Sequence, residues 1–170
     1  MEDLRSAPLP PVGPDDHARG APDDTLVIVY ADFTCPHCAV AAARLHGLAV
    51  RHVFRHFALT SKHPRSVALA QATEAAGRQG AFWQMHDSLF DDQGRVDDPH
   101  LWDRVQALGL DVARFDADRR SDEVAARVAG DVRGGLRGGI ATTPTLVVDG
   151  EIHPGPPRAD LLARFSARHV

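Results

Sequence analysis

The run Thr25 to Tyr30 (TLVIVY) has no polar alternation, and Cys35-Pro36-His37-Cys38 follows it within a few residues. A short, β-branched, wholly apolar run is the pattern of a strand buried on both faces, so its sheet must lie between layers of helix. Ala39 to His46 is alanine-rich and free of glycine up to Gly47, which predicts a helix that begins at the cysteines. Val50 to Leu59 (VRHVFRHFAL) alternates as a second strand. Strand, helix and strand in this order close as a right-handed βαβ unit, with chemistry expected at the C-terminal end of the first strand.

The following segment reads as helical. Pro64 suits a helix start, and the stretch to Gly77 is rich in alanine. Phe82, Met85, His86, Leu89 and Phe90 fall on one helical face, on which His86 reads as a hydrogen-bonded core residue. Asp98-Pro99 opens a helix carrying Leu101, Trp102, Val105 and Leu108, and Asp111 caps a short one. Ser121 caps a longer helix in which Val124, Val128, Val132 and Leu136 recur at i+4. The period then changes: Thr145 to Val148 is a strand, Asp149-Gly150 suits a type I′ turn, and Glu151 to His153 returns. A final helix from about Pro157 turns Leu161, Leu162 and Phe165 inward.

A chain of 170 residues with 44% hydrophobic and 25% charged residues can bury one full core. The net charge of −4 argues against nucleic acid or an anionic membrane surface as partner. Lys62 is the only lysine, and the arginines are interleaved with acids instead of gathered into a basic surface. Five of the 12 prolines fall in residues 1–24, which predicts an extended, weakly ordered lead-in. That lead-in has no apolar signal-like core, and no run elsewhere is long enough to cross a bilayer, so the expectation is a soluble cytoplasmic protein.

The two cysteines are too close in sequence to staple a fold, and in a reducing compartment such a pair is more often chemical than structural. At a helix start, the Cys35 sulfur meets free backbone N–H groups and the positive end of the helix dipole, which favours the thiolate. Pro36 loses no hydrogen bond in the first turn, and a protonated His37 would lower the Cys35 pKa further. Stabilising the thiolate of the reduced form makes the disulfide a stronger oxidant. A zinc site is the other use of such a pair, but it normally needs a second Cys or His pair at ligand spacing. There is no second CxxC, and His52 and His56, though four apart, fall on a strand.

The segments Tyr30-Ala-Asp-Phe-Thr-Cys-Pro-His-Cys38, Phe54-Arg-His-Phe57, Gln79-Gly-Ala-Phe-Trp-Gln-Met-His-Asp87 and Thr142-Thr-Pro-Thr145 resemble the DsbA-like branch of the thioredoxin superfamily over about residues 12–165. The resemblance implies an α/β thioredoxin fold, βαβ…ββα, with an inserted α-helical subdomain. The corresponding division is a lead-in over 1–24, a thioredoxin-fold domain over 25–62 plus 139–170, and a helical insertion over 63–138. It implies that Thr143 and Pro144 form a cis-proline loop facing the cysteines, where backbone groups meet an extended substrate. Members of that branch commonly carry a buried acid six positions before the first cysteine, as a proton relay for the second. Here Val29 holds that place, and Asp32 is the substitute candidate for the relay. The crossover is also short beside such proteins, with eleven residues between Cys38 and Val50.

The function expected is thiol–disulfide oxidoreduction, with Cys35 as the exchanging sulfur, Cys38 as the resolving one and His37 tuning the potential. No bound cofactor and no metal are expected, since the Cys35–Cys38 disulfide carries the electrons. Expected partners are protein or low-molecular-weight thiols and disulfides, with a recycling redox partner. The alternatives are a thiol-conjugating or isomerase relative of the same fold, which usually lacks the second cysteine, and a non-catalytic zinc or metal-binding module.

Overall fold

The computed structural model describes residues 7–167 of the 170-residue chain. Residues 1–6 of the lead-in, and residues 168–170 including His169, lie outside the described residues. The described elements run in the order β1 (His17–Arg19), β2 (Thr25–Ala31), α1 (Pro36–Leu45), β3 (Val50–His56), α2 (Ser66–Gly77), α3 (Phe82–Asp91), α4 (Asp98–Ala107), α5 (Val112–Arg119), α6 (Asp122–Arg137), β4 (Thr145–Val148), β5 (Glu151–Pro154) and α7 (Ala159–Ala167). Five strands form one mixed sheet in the order β1-β3-β2-β4-β5, in which only β2 and β3 run parallel.

Strand β2 is central and apolar throughout because both of its faces are covered. Val27, Val29 and Ala31 meet Phe33, Cys38, Leu45, Met85, Leu89 and Phe165 on one side of the sheet. Ile28 and Tyr30 meet Val53, Phe57, Ile140 and Val147 on the other. Each such side chain contributes about 1.5–3 kcal/mol when fully buried, so β2 anchors both cores and carries the loop that follows it. The hairpin between β4 and β5 turns at Asp149 (φ 52°) and Gly150 (φ 81°), the left-handed pair that a type I′ turn requires.

The caps follow the sequence. Asp97, Asp111 and Ser121 accept the N–H groups of His100, Arg114 and Val124 at the starts of α4, α5 and α6. Other expectations are corrected. Helix α2 starts at Ser66, not Pro64, after a turn in which Arg65 N–H donates to His63 Nδ1 at 3.1 Å. The final helix starts at Ala159, and β3 ends at His56, short of Leu59. On α6, Val124 and Val128 are buried while Leu136 is 47% exposed. Steps of four residues drift about 40° each around a helix of 3.6 residues per turn, so the row leaves the core by its fourth member.

The lead-in departs most from expectation, because its stretch from Leu9 to Arg19 is docked. Strand β1 pairs antiparallel with β3, His17 opposite Phe54, and Leu9 and Val12 rest on the Ile28 face of the sheet. The prolines do not prevent this: Arg55 donates to the carbonyls of Pro10 (2.8 Å) and Pro11 (3.0 Å) and to both carboxylate oxygens of Asp16 (2.9 Å each). Proline lacks a donor but keeps its acceptor, and a buried guanidinium supplies the donors.

Candidate active site

The loop after β2 places the cysteines. Cys35 is the N-cap of α1 with extended backbone (φ −86°, ψ 119°), and Pro36 occupies the first turn. The Cys35 carbonyl accepts Cys38 N–H (3.0 Å) and Ala39 N–H (3.3 Å), so the residue that starts the helix also carries the accessible sulfur. Asp32 braces the loop: its Oδ1 accepts the backbone N–H and the hydroxyl of Thr34, each at 2.8 Å. Gln93, from the turn after α3, donates its side-chain amide to the carbonyls of Phe33 (2.7 Å) and Cys35 (3.0 Å).

The two sulfurs, both free thiols, have different surroundings. Cys38 is 1% exposed inside the apolar core, where Asp32 N–H donates to its Sγ at 3.5 Å. Cys35 is half-buried, and its Sγ donates to the Thr143 carbonyl at 3.5 Å. A hydrogen bond from the Cys38 thiol holds the Cys35 pKa down to about 5 against the opposing effect of burial. The Thr143 side chain and the backbone N–H groups of Cys38 and His37 act in the same direction. Burial pushes the Cys38 thiol far up, and the Cys35 sulfur beside it adds to that. The arrangement offers one thiolate at neutral pH and holds a second, protonated thiol beneath it.

The residues singled out in the sequence divide between this centre and its margins. Thr143 comes to Cys35 across 108 residues of chain, and the Thr143–Pro144 peptide bond is cis. Pro36 and His37 are exposed on the first turn, and it is the backbone N–H of His37 that bears on the Cys35 sulfur. Asp32 meets Cys38 through its backbone, while its carboxylate serves the turn. Val29 is 4% exposed in the apolar cluster that contains Cys38, so the position of the usual acid is filled by hydrocarbon. The buried carboxylate of Glu74 is instead shared by His17 (2.8 Å) and His56 (2.7 Å), bridging β1, α2 and β3. His86 is a core residue bonded to Asp87 Oδ1 at 2.8 Å.

Three residues at the site escaped the sequence reading. Gln93 sits in a polar turn with no local pattern to mark it. Lys62 and His63 line a hollow of about 290 Å³ beside Cys35, together with Asp32, Phe57 and Leu59. The isolated lysine was the one available signal. Among the described residues, no group of three or more His, Cys, Asp or Glu is arranged to hold a metal ion.

Solved structures share this architecture. A thioredoxin-like oxidoreductase from Silicibacter pomeroyi superposes with a TM-score of 0.81 at 26% identity, covering 92% of this chain and 93% of that one. The thiol-disulfide exchange protein α-DsbA2 from Wolbachia pipientis gives 0.78 at 17% identity, covering 90% and 86%. The catalytic domain of Proteus mirabilis ScsC gives 0.74 at 19% identity, covering 90% and 88%. Among curated proteins, the Na(+)/H(+) antiporter NhaA 1 of Mycolicibacterium vanbaalenii is 42% identical over 166 residues, which are 92% of this chain and 27% of that protein. The Na(+)/H(+) antiporter NhaA 3 of Salinispora tropica is 40% identical over 163 residues, 90% of this chain and 24% of that protein. The chain thus spans about a quarter of the length of these curated relatives, and no helix among its described residues is long and apolar enough to cross a membrane. The profile of the DSBA-like thioredoxin domain matches residues 26–166, from the second residue of β2 into α7, and the chain belongs to that family.

Proposed function

We propose that this chain is a thiol–disulfide oxidoreductase working through Cys35 and Cys38. The observation that carries the reading is the opposed ionisation of the two thiols: Cys35 is held down to about 5 at an accessible helix start, and Cys38 is pushed up within the core. The Cys35 thiolate attacks one sulfur of a substrate disulfide, forming a mixed disulfide and releasing one thiolate. Cys38 then loses its proton and attacks the Cys35 sulfur, closing the Cys35–Cys38 disulfide and releasing the second thiol. Two electrons pass to the substrate; the thiolate released first takes its proton from water, and the proton that Cys38 gives up ends on the second product thiol. The steps run in reverse when the oxidised pair meets a dithiol.

The position of Thr143 supports a role in presenting substrate, since its backbone edge lies beside the attacking sulfur. The pair itself stores the electrons, so the scheme needs no bound cofactor, and a thiol pool or a partner protein resets it. His37 adjusts the potential from the exposed side. Brief alkylation of the reduced protein at mildly acidic pH, followed by mass mapping, should label Cys35 first. In the same scheme Cys38→Ser accumulates mixed disulfides with substrate and Cys35→Ser does not. Labelling that favours Cys38, or mixed disulfides held by Cys35→Ser, would reverse the roles.

A further inference from the structure

The hollow beside Cys35 is about 290 Å³, at the lower end of the usual size for a small-molecule site. Lys62 on its lining is exposed, and among the described residues its ammonium makes no ion pair and no hydrogen bond. By contrast, Arg19, Arg55 and Arg65 are each committed to a carboxylate. His63 on the same lining accepts the Arg65 N–H on Nδ1 at 3.1 Å, which leaves Nε2 as the donor nitrogen of the ring. Asp32 is an acid on that lining, with Oδ1 already occupied by two hydrogen bonds from Thr34. Phe57 and Leu59 supply apolar wall. The hollow that Cys35 lines therefore also holds an uncommitted cation, a second donor and apolar wall.

Resting on the reading of Cys35 as the exchanging sulfur, we propose that this hollow binds the carboxylate-bearing arm of a small disulfide. The carboxylate meets Lys62 and His63, and the alkyl stem lies on Phe57 and Leu59. Attack by Cys35 breaks the substrate S–S bond and releases one carboxylate-bearing thiol. The other arm stays on Cys35 inside the hollow until Cys38 displaces it as the second thiol. The net charge of −4 opposes approach of an anion to the molecule, so a preference for anionic disulfides must come from local groups and not from the overall field.

Single-turnover oxidation of the reduced protein tests this with three disulfides: dithiodipropionate with two carboxylates, neutral hydroxyethyl disulfide, and cystamine with two ammonium groups. Reactions are quenched by alkylation and read by mass, and each rate is divided by that of free mercaptoethanol with the same disulfide. The corrected rates should fall from anionic to neutral to cationic. Lys62→Met should lower the anionic-to-neutral ratio by about fivefold, the worth of one exposed ion pair, and Lys62→Glu should invert it. Equal corrected rates in the wild type, or a ratio untouched by both Lys62 substitutions, would overturn the carboxylate site and leave the oxidoreductase reading standing. Failure to react with all three disulfides, while Cys35 still alkylates, would remove both.

Discussion

At the scale of single residues, the reactivity of Cys35 depends on donors that reach its sulfur from the first turn of α1 and from the Thr143 loop. The largest of these is the Cys38 thiol. Hydrogen bonds to a charged group are worth about 1.5–3 kcal/mol, so Cys38→Ala should move the midpoint of Cys35 ionisation up by about 1–2 pH units. Titration of thiolate ultraviolet absorbance measures this directly. An unchanged midpoint would leave the backbone N–H groups of the helix start as the whole cause. In the wild type, the alkylation rate of Cys35 should be flat above neutral pH and fall as pH drops through about 5, because only the thiolate reacts.

Among the elements, β1 shows how a strand of three residues holds its place at the sheet edge. The chain turns from β1 towards β2 at Gly20, whose φ of +98° and contact with the Val50 carbonyl leave no room for a Cβ. His17 stacks on Phe82 with ring centroids 3.5 Å apart and shares Glu74 with His56. Arg19 grips both Asp87 oxygens (2.9 and 2.8 Å) while lying over Trp83. Burial opposes ionisation of Glu74, yet the hydrogen bonds from His17 and His56 hold its carboxyl well below the usual range. Glu74→Ala would strand the buried His56 ring, whose Nδ1 already lacks a protein partner, and should cost about 2–4 kcal/mol by urea denaturation. A loss below about 1 kcal/mol would mean that β1 is held by its ladder, its ring contacts and the Arg19–Asp87 pair without help from Glu74.

For the molecule as a whole, the two redox forms should respond differently to pH. His52 and His86 are buried and held below the ordinary imidazole value, first of all by burial. The unfolded chain therefore binds protons that the native state refuses, and both forms lose stability as pH falls below about 6.5. That loss cancels when the reduced and oxidised proteins are compared. What remains is the thiol pair: the Cys35 contribution is absent below about 5 and grows as pH rises towards the free-thiol value of 9.0. Above that value the unfolded chain ionises Cys38 while the native state keeps it protonated, so the contribution declines again. The stability of the reduced form minus that of the oxidised form should thus rise between pH 5 and 9 and fall beyond it, as read from denaturant midpoints. A flat difference across that range would remove the native thiolate from the account. Much of this architecture was legible in the residues, because a strand buried on both faces, a helix opened by Cys35-Pro36, caps at Asp111 and Ser121 and a turn at Asp149-Gly150 each follow from a few adjacent side chains. The tertiary structure alone decided that the proline-rich lead-in carries an edge strand, that Gln93 clamps the cysteine loop across 58 residues, and that Lys62 and His63 share a wall with Cys35. Local geometry is set by bond rotations and hydrogen bonds within a turn or two of chain, whereas a meeting of distant residues is set by how the two faces of the sheet are covered, which no short window of sequence contains.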